Sequence, residues 1–140
     1  MAYTNPKALL KAASGALIGP IVCNPMWSKM GEIYTAPSAA NQIGDFTAGT
    51  YVQLLFALRY RNLGSIDGVF ASYVYMAFKK LEVEWKSLVE DIRLGGIRKD
   101  LDISQEIRDQ LAPRLKADPE RANELLVEFE QGRLFHHNEI

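Results

Sequence analysis

The chain has 140 residues, with 16 Lys+Arg against 17 Asp+Glu, a formal net charge of −1 and one cysteine. That length fits one domain or part of one, and the near-zero charge gives no reason to expect nucleic acid or an anionic membrane as partner. A lone Cys23 excludes an intramolecular disulfide and fits a reducing compartment.

Charge is unevenly spread. Only Lys7, Lys11, Lys29, Glu32 and Asp45 carry charge before Arg59. Residues 1–45 therefore read as an apolar, loop-rich segment of the kind that something else covers, and residues 46–132 as amphipathic helices with wet faces. At the N-terminus, Asn5-Pro6 predicts a short helix through "KALLKAA", with Gly15 as its stop. The longest uncharged run, Ala12 to Ser28, is broken by Gly15, Gly19, Pro20 and Pro25 and falls short of the roughly 20 apolar residues of a spanning helix. Pro20 and Val22 before Cys23 fit a small-residue cleavage site poorly, so no signal peptide is expected and a cytoplasmic location follows by default. Prolines at 20, 25 and 37 predict mostly loop.

"NQIGDF" at 41–46 is a short strand candidate, with strand expected from Gln42 to Asp45. A helix over 46–61 follows, with Tyr51, Leu54, Leu55 and Leu58 on one apolar face. "SIDGVF" supplies a second strand candidate, from Ile66 to Phe70. Together these predict a strand–helix–strand unit, crossing over right-handed if its strands are parallel. The long helix 71–94 carries Leu81, Trp85, Leu88 and Ile92 on one stripe, so Trp85 is expected to be mostly buried. Glu82, Glu84, Glu90 and Asp91 share that helix with Lys79, Lys80 and Lys86 and read as a solvated charged face rather than paired catalytic carboxylates. Gly95-Gly96 supplies a left-handed stop. Asp102 or Ser104 caps a helix over 104–116 with Ile107, Leu111 and Leu115. Asp118 and Pro119 open the last helix, 118–131, whose stripe is Ala122, Leu125, Leu126 and Phe129, with Gly132 beyond its end. The fold class is a helix-dominated α/β piece of four to five helices.

Catalytic chemistry is sparse. His136, His137 and Glu139 are the only cluster of metal-ligand types, and no Cys or second His pair completes a site. "SGALIG" at 14–19 lacks the Gly-Lys-Ser/Thr ending of a phosphate loop, and Cys23 has no base near it in sequence. No catalytic, metal or cofactor residue is assigned. The aromatics carry more: Tyr51, Phe56, Tyr60, Phe70, Tyr73, Tyr75 and Phe78 exceed what one helix stripe absorbs. Those near Ser72 and Tyr73 suit a pocket for an apolar, aromatic or acyl ligand.

Five stretches in order, "IYTAP", "YVQLLFALRYR", "GVFAS", "LEVEWKSLVEDIRLGGI" and "DPERANELLVEF", resemble the auxin-responsive Gretchen Hagen family of acyl-acid–amido synthetases. That family typically shows a Tyr-Thr-Ser-Pro turn, a Tyr-x-Gln-Leu-Leu-x-x-Leu helix and a Val-Phe-Ala-Ser opening to a long helix. That helix ends Leu-Glu-x-x-Trp-x-x-Leu-x-x-Asp-Ile-x-x-Gly. Here these are Tyr34 to Pro37, Tyr51 to Leu58, Val69 to Ser72 and Leu81 to Gly95, with Trp85, Asp91 and Ile92 in register.

The resemblance implies ATP- and magnesium-dependent activation of a carboxylic acid, such as a plant hormone of the indole-acetic or jasmonic type, as an acyl-adenylate and its transfer to an amino acid. It also implies that these helices border the acyl-acid pocket, with Thr50, Tyr51 and Leu54 on one helix and Ser72 and Tyr73 at the start of the next as substrate-binding residues. The family's Ser-Ser-Gly-Thr-Ser phosphate loop and its adenine and ribose segments have no counterpart in the 140 residues. The expectation is an internal piece of a larger α/β adenylating domain, holding no ATP or magnesium itself, inactive alone and prone to self-association or to packing on the missing parts. The competing expectation is a stand-alone helical protein-interaction module.

Overall fold

The computed structural model describes residues 34–66, 68 and 70–132, together with the backbones of Leu10–Lys11 and Leu17–Ile18. Those last two pairs form β1 (Leu10–Lys11) and β2 (Leu17–Ile18), antiparallel, with Leu10 opposite Ile18. The helix expected from Asn5 lies mostly outside the described residues. Its described part, Leu10 and Lys11, is extended instead. Ser14-Gly15 in the sequence is a turn signal as much as a helix stop.

The rest of the described chain is helical. A 3-10 turn at Ser38–Gln42 precedes α1 (Phe46–Arg59), α2 (Ala71–Leu94), α3 (Gln105–Leu111) and α4 (Pro119–Glu130). Three of the four starts have a side-chain cap, and α2 opens at Phe70 without one. Asp45 accepts the Ala48 amide at 2.6 Å to open α1, Ser104 accepts Ile107 N–H at a long 3.4 Å to open α3, and Asp118 accepts Arg121 N–H at 2.9 Å to open α4. Gly95 ends α2 in the left-handed region (φ 73°), and both Gly95 and Gly96 donate to the Asp91 carbonyl.

The expected strand–helix–strand unit does not form among the described residues. Gln42 closes the 3-10 turn and Asp45 is committed to capping α1, so the extended backbone at Ile43 has no neighbouring strand to pair with. The described residues of 65–70 likewise lead straight into α2. α3 is shorter than the expected 104–116 because Pro113 has no amide to donate, and the chain tightens into a 3-10 turn at Ala112–Arg114.

The core forms where α1 and α4 both pack on α2. α1 is buried on more than one side (Ala48, Tyr51, Val52, Leu54, Leu55 and Phe56), so it is a central helix rather than the single-faced one its pattern suggests. α2 contributes Ala77, Leu81, Leu88, Val89 and Ile92, and α4 contributes Ala122, Leu125 and Phe129. Trp85 is mostly but not completely buried, as expected from the sequence: it packs against the core, its ring stacks on Phe129 at 5.1 Å, and Lys86 Nζ lies 5.5 Å from its centroid. No helix among the described residues is long and apolar enough to cross a membrane.

Candidate functional site

A buried polar pair sits between α1 and α2. Tyr51 is fully buried and donates its hydroxyl to Asp91 Oδ2 at 2.8 Å, and the same oxygen accepts the Arg98 amide at 3.0 Å. Asp91 is 8% exposed. Burial pushes its carboxyl above the usual carboxylate range, against the pull of the Arg98 amide and the Tyr51 hydroxyl. Burial, and then the bonded Asp91, drive the Tyr51 phenol far above its ordinary value, so it stays a neutral donor.

Two cations flank the Tyr51 ring. The Arg98 guanidinium lies 4.8 Å and Lys80 Nζ 6.0 Å from its centroid. Both reach Glu84, Lys80 at 2.8 Å and Arg98 at 3.3 Å; the second contact is an ion pair too poorly aligned to satisfy Glu84 Oε2 as a hydrogen bond. Sequence reasoning read Glu84 and Asp91 as parts of a wet face. The structure corrects this for Asp91, which is buried, and for Glu84, which is only partly open. No local pattern could reveal it, because the Asp91 partner Tyr51 lies 40 residues away.

The expected substrate-binding residues divide into two groups. Thr50, Tyr51 and Leu54 are buried in α1. The Thr50 hydroxyl donates to its own helix at Phe46 O, 2.8 Å, so the hydroxyl protons of Thr50 and Tyr51 are both committed within the chain. Ser72 is exposed and Tyr73 half-buried at the start of α2. The Tyr73 ring bridges Phe46 and Phe70, 5.7 Å from each centroid, and so brings the two helix starts together. Of the other aromatics, Phe56 joins the core, whereas Tyr60, Phe70, Tyr75 and Phe78 are exposed. A shallow depression of about 160 Å³ lies elsewhere, lined by Gly95, Ile97, Gln105, Arg108, Asp109 and Leu115 among others. No group of three His, Cys, Asp or Glu side chains suited to a metal ion occurs among the described residues.

Residues 3–138 match the GH3 family N-terminal domain. The chain is 31% identical over 100 residues to the indole-3-acetic acid-amido synthetase GH3.8 of Oryza sativa subsp. indica, covering 71% of this chain and 16% of that protein. It is 35% identical over 98 residues to the indole-3-acetic acid-amido synthetase GH3.5 of Arabidopsis thaliana, covering 69% of this chain and again 16% of the relative. The solved GH3.15 acyl acid amido synthetase superposes with a TM-score of 0.66 at 26% identity, over 91% of this chain and 24% of that one. The chain thus spans about a sixth of the length of the curated relatives it matches, and it belongs to the GH3 family through that family's N-terminal domain.

Proposed function

We propose that this chain is a piece of an acyl-acid–amido synthetase that supplies part of the wall around the carboxylic acid, and that residues 1–140 alone do not form the acyl-adenylate. The observation that carries this reading is the family match over residues 3–138, together with the small share of each relative that is covered. The names of those relatives make indole-3-acetic acid the first acid to test.

In this reading Ser72 and Tyr73 meet the acid, while Thr50, Tyr51 and Leu54 form the rigid layer behind them. The support is their placement: the first pair lies toward solvent, whereas the hydroxyls of the buried group are already bonded internally. In this reading the ATP and magnesium expected of a full-length relative are held by its other parts. Adenylation needs phosphate donors and a metal site converging on one carboxylate, and no group of three His, Cys, Asp or Glu side chains suited to a metal ion occurs among the described residues. No step through either is derived.

The test is ATP–pyrophosphate exchange by residues 1–140 with indole-3-acetic acid, beside a full-length relative as positive control. The relative exchanges and this chain does not; exchange by this chain overturns the reading. A titration of labelled chain with the acid should move the amides of Ser72 and Tyr73 at weak affinity, because part of a pocket leaves much of the ligand wet.

A second reading has its own observation. Phe70 and Tyr75 are 61% and 63% exposed on the first turns of α2, beside exposed Met76 and Phe78. An aromatic surface of this kind suits a protein contact, with a second copy or with other parts of such an enzyme. A molar mass by light scattering that rises with concentration, and falls back in Phe78→Ser, would favour it.

A further inference from the structure

The Arg108 guanidinium lies inside a ring of backbone carbonyls. Nε donates to Ile103 O at 3.3 Å and Nη1 to Ile97 O at 3.2 Å. Nη2 faces Arg98 O at 3.1 Å, Lys99 O at 3.4 Å and Leu101 O at 2.9 Å. All five acceptors belong to the connection between α2 and α3. Carbonyl oxygens converging on one positive group are how loops hold bound cations. Here the cation is a side chain of the following helix.

The same connection reaches the buried pair. Arg98 gives its carbonyl to Arg108, its amide to Asp91 and its guanidinium to the face of Tyr51. A guanidinium presents five N–H groups in a planar fork, and a lysine ammonium has three on a compact centre. Only the fork can meet carbonyls spread over Ile97 to Ile103.

We propose that the 97–103 connection is a cation-templated loop in which Arg108 is the built-in ion, and that through Arg98 it positions the Asp91–Tyr51 pair. Removal of the side chain leaves a carbonyl ring selective for free guanidinium ion. The inference stands on these contacts and does not depend on the acyl-acid reading.

Amide exchange in the full 140-residue chain tests it. The amides to follow are Arg98, bonded to Asp91, and Ile103, bonded to Leu101 O at 2.8 Å. In Arg108→Ala both should exchange about tenfold faster or more, as expected for the loss of charge-assisted bonds. Guanidinium at about millimolar concentration, far below the molar range that denatures, should slow them again, and sodium or ammonium chloride at equal ionic strength should not. Arg108→Lys keeps stem and charge, so it reports on the fork even where Arg108→Ala fails to fold. It should stay unprotected at both amides. Wild-type protection in Arg108→Lys, or a folded Arg108→Ala indifferent to guanidinium, overturns the proposal.

Discussion

The Tyr51 hydroxyl and the Asp91 carboxylate are bonded at 2.8 Å across the interface of the two longest helices, and both are buried. This one bond fixes the rotation of α1 against α2, since an apolar interface alone tolerates sliding and a buried donor does not. Tyr51→Phe keeps the ring and deletes the donor. Asp91 then retains the Arg98 amide but loses its second partner. The expected cost is about 1–3 kcal/mol, read from the urea midpoint at unchanged m-value.

Asp91 also sets a pH dependence. Its folded-state pKa is raised, with burial as the main cause, so the folded chain binds this proton more readily than the unfolded chain does. Stability from this group is therefore lowest above the folded pKa. It rises as pH falls through that value toward the ordinary aspartate range, and is flat below. Asp91→Asn keeps an oxygen able to accept both bonds and removes the titration. On acidification the melting temperature of the wild type should rise relative to that of Asp91→Asn. A difference that does not change with pH contradicts this assignment.

Gly95→Ala should be among the most damaging single changes at the surface. The left-handed backbone there costs a non-glycine residue about 1–2 kcal/mol. A Cβ would also run into the backbone of Lys116 and Ala117, where the chain turns into α4. Loss beyond that conformational cost is expected in thermal unfolding. A change under about 1 kcal/mol would mean that the α2–α4 junction, tied by Asp118 N–H to Ile92 O at 3.0 Å, yields easily.

Phe129 is 4% exposed and stacks on Trp85. Phe129→Ala should cost about 3–5 kcal/mol. In a Trp27→Phe background, where Trp85 is the sole indole, it should also shift the emission to longer wavelength as the ring loses its cover. Because Trp85 is less completely buried than Phe129, Trp85→Ala should cost less than Phe129→Ala; the reverse order would contradict the packing described.

The exposed pair Arg61–Glu124 offers a contrast. Three bonds from Arg61 and one from Arg121 hold the Glu124 carboxyl below its ordinary range. The stability it adds is present above the ordinary glutamate pKa and is lost as pH falls through the depressed one. Solvent screening keeps this small. Glu124→Gln should therefore barely move the melting point. Arg121→Ala should move it further, because Arg121 also donates to Leu58 O at the end of α1 and to Tyr60 O just beyond it.

Helix positions were legible where local chemistry decides them. The bounds of α2 follow from the stripe Leu81, Leu88 and Ile92 and from Gly95, and those of α4 from Asp118, Pro119 and Gly132. What depends on distant partners was not legible. α1 ends at Arg59 rather than 61, where Arg121, from α4, donates to Leu58 O. Among the described residues the strand candidates did not form, because a strand needs a neighbour and Asp45 is engaged in capping. The placement of Tyr51 and Leu54 in the core was foreshadowed by the apolar pattern of α1, whereas that of Thr50 was not. The burial of Asp91 beside Lys80, Glu84 and Arg98 was not, since charge patterning on α2 gives every such residue the same appearance.

α2 is about 36 Å long at 1.5 Å per residue, and its two halves are held differently. The second half is gripped by α1, α4 and the Asp91 bonds, whereas ahead of Leu81 the first half buries only Ala77 and adds the Tyr73–Phe46 contact. The helix is thus a beam clamped at one end. Its opening free energy should fall from the global value near Leu88 to little more than fraying near Ser72. Whatever settles against Tyr75 and Phe78 would stiffen the free end. Hydrogen exchange along this single helix would then measure docking without the partner having to be seen.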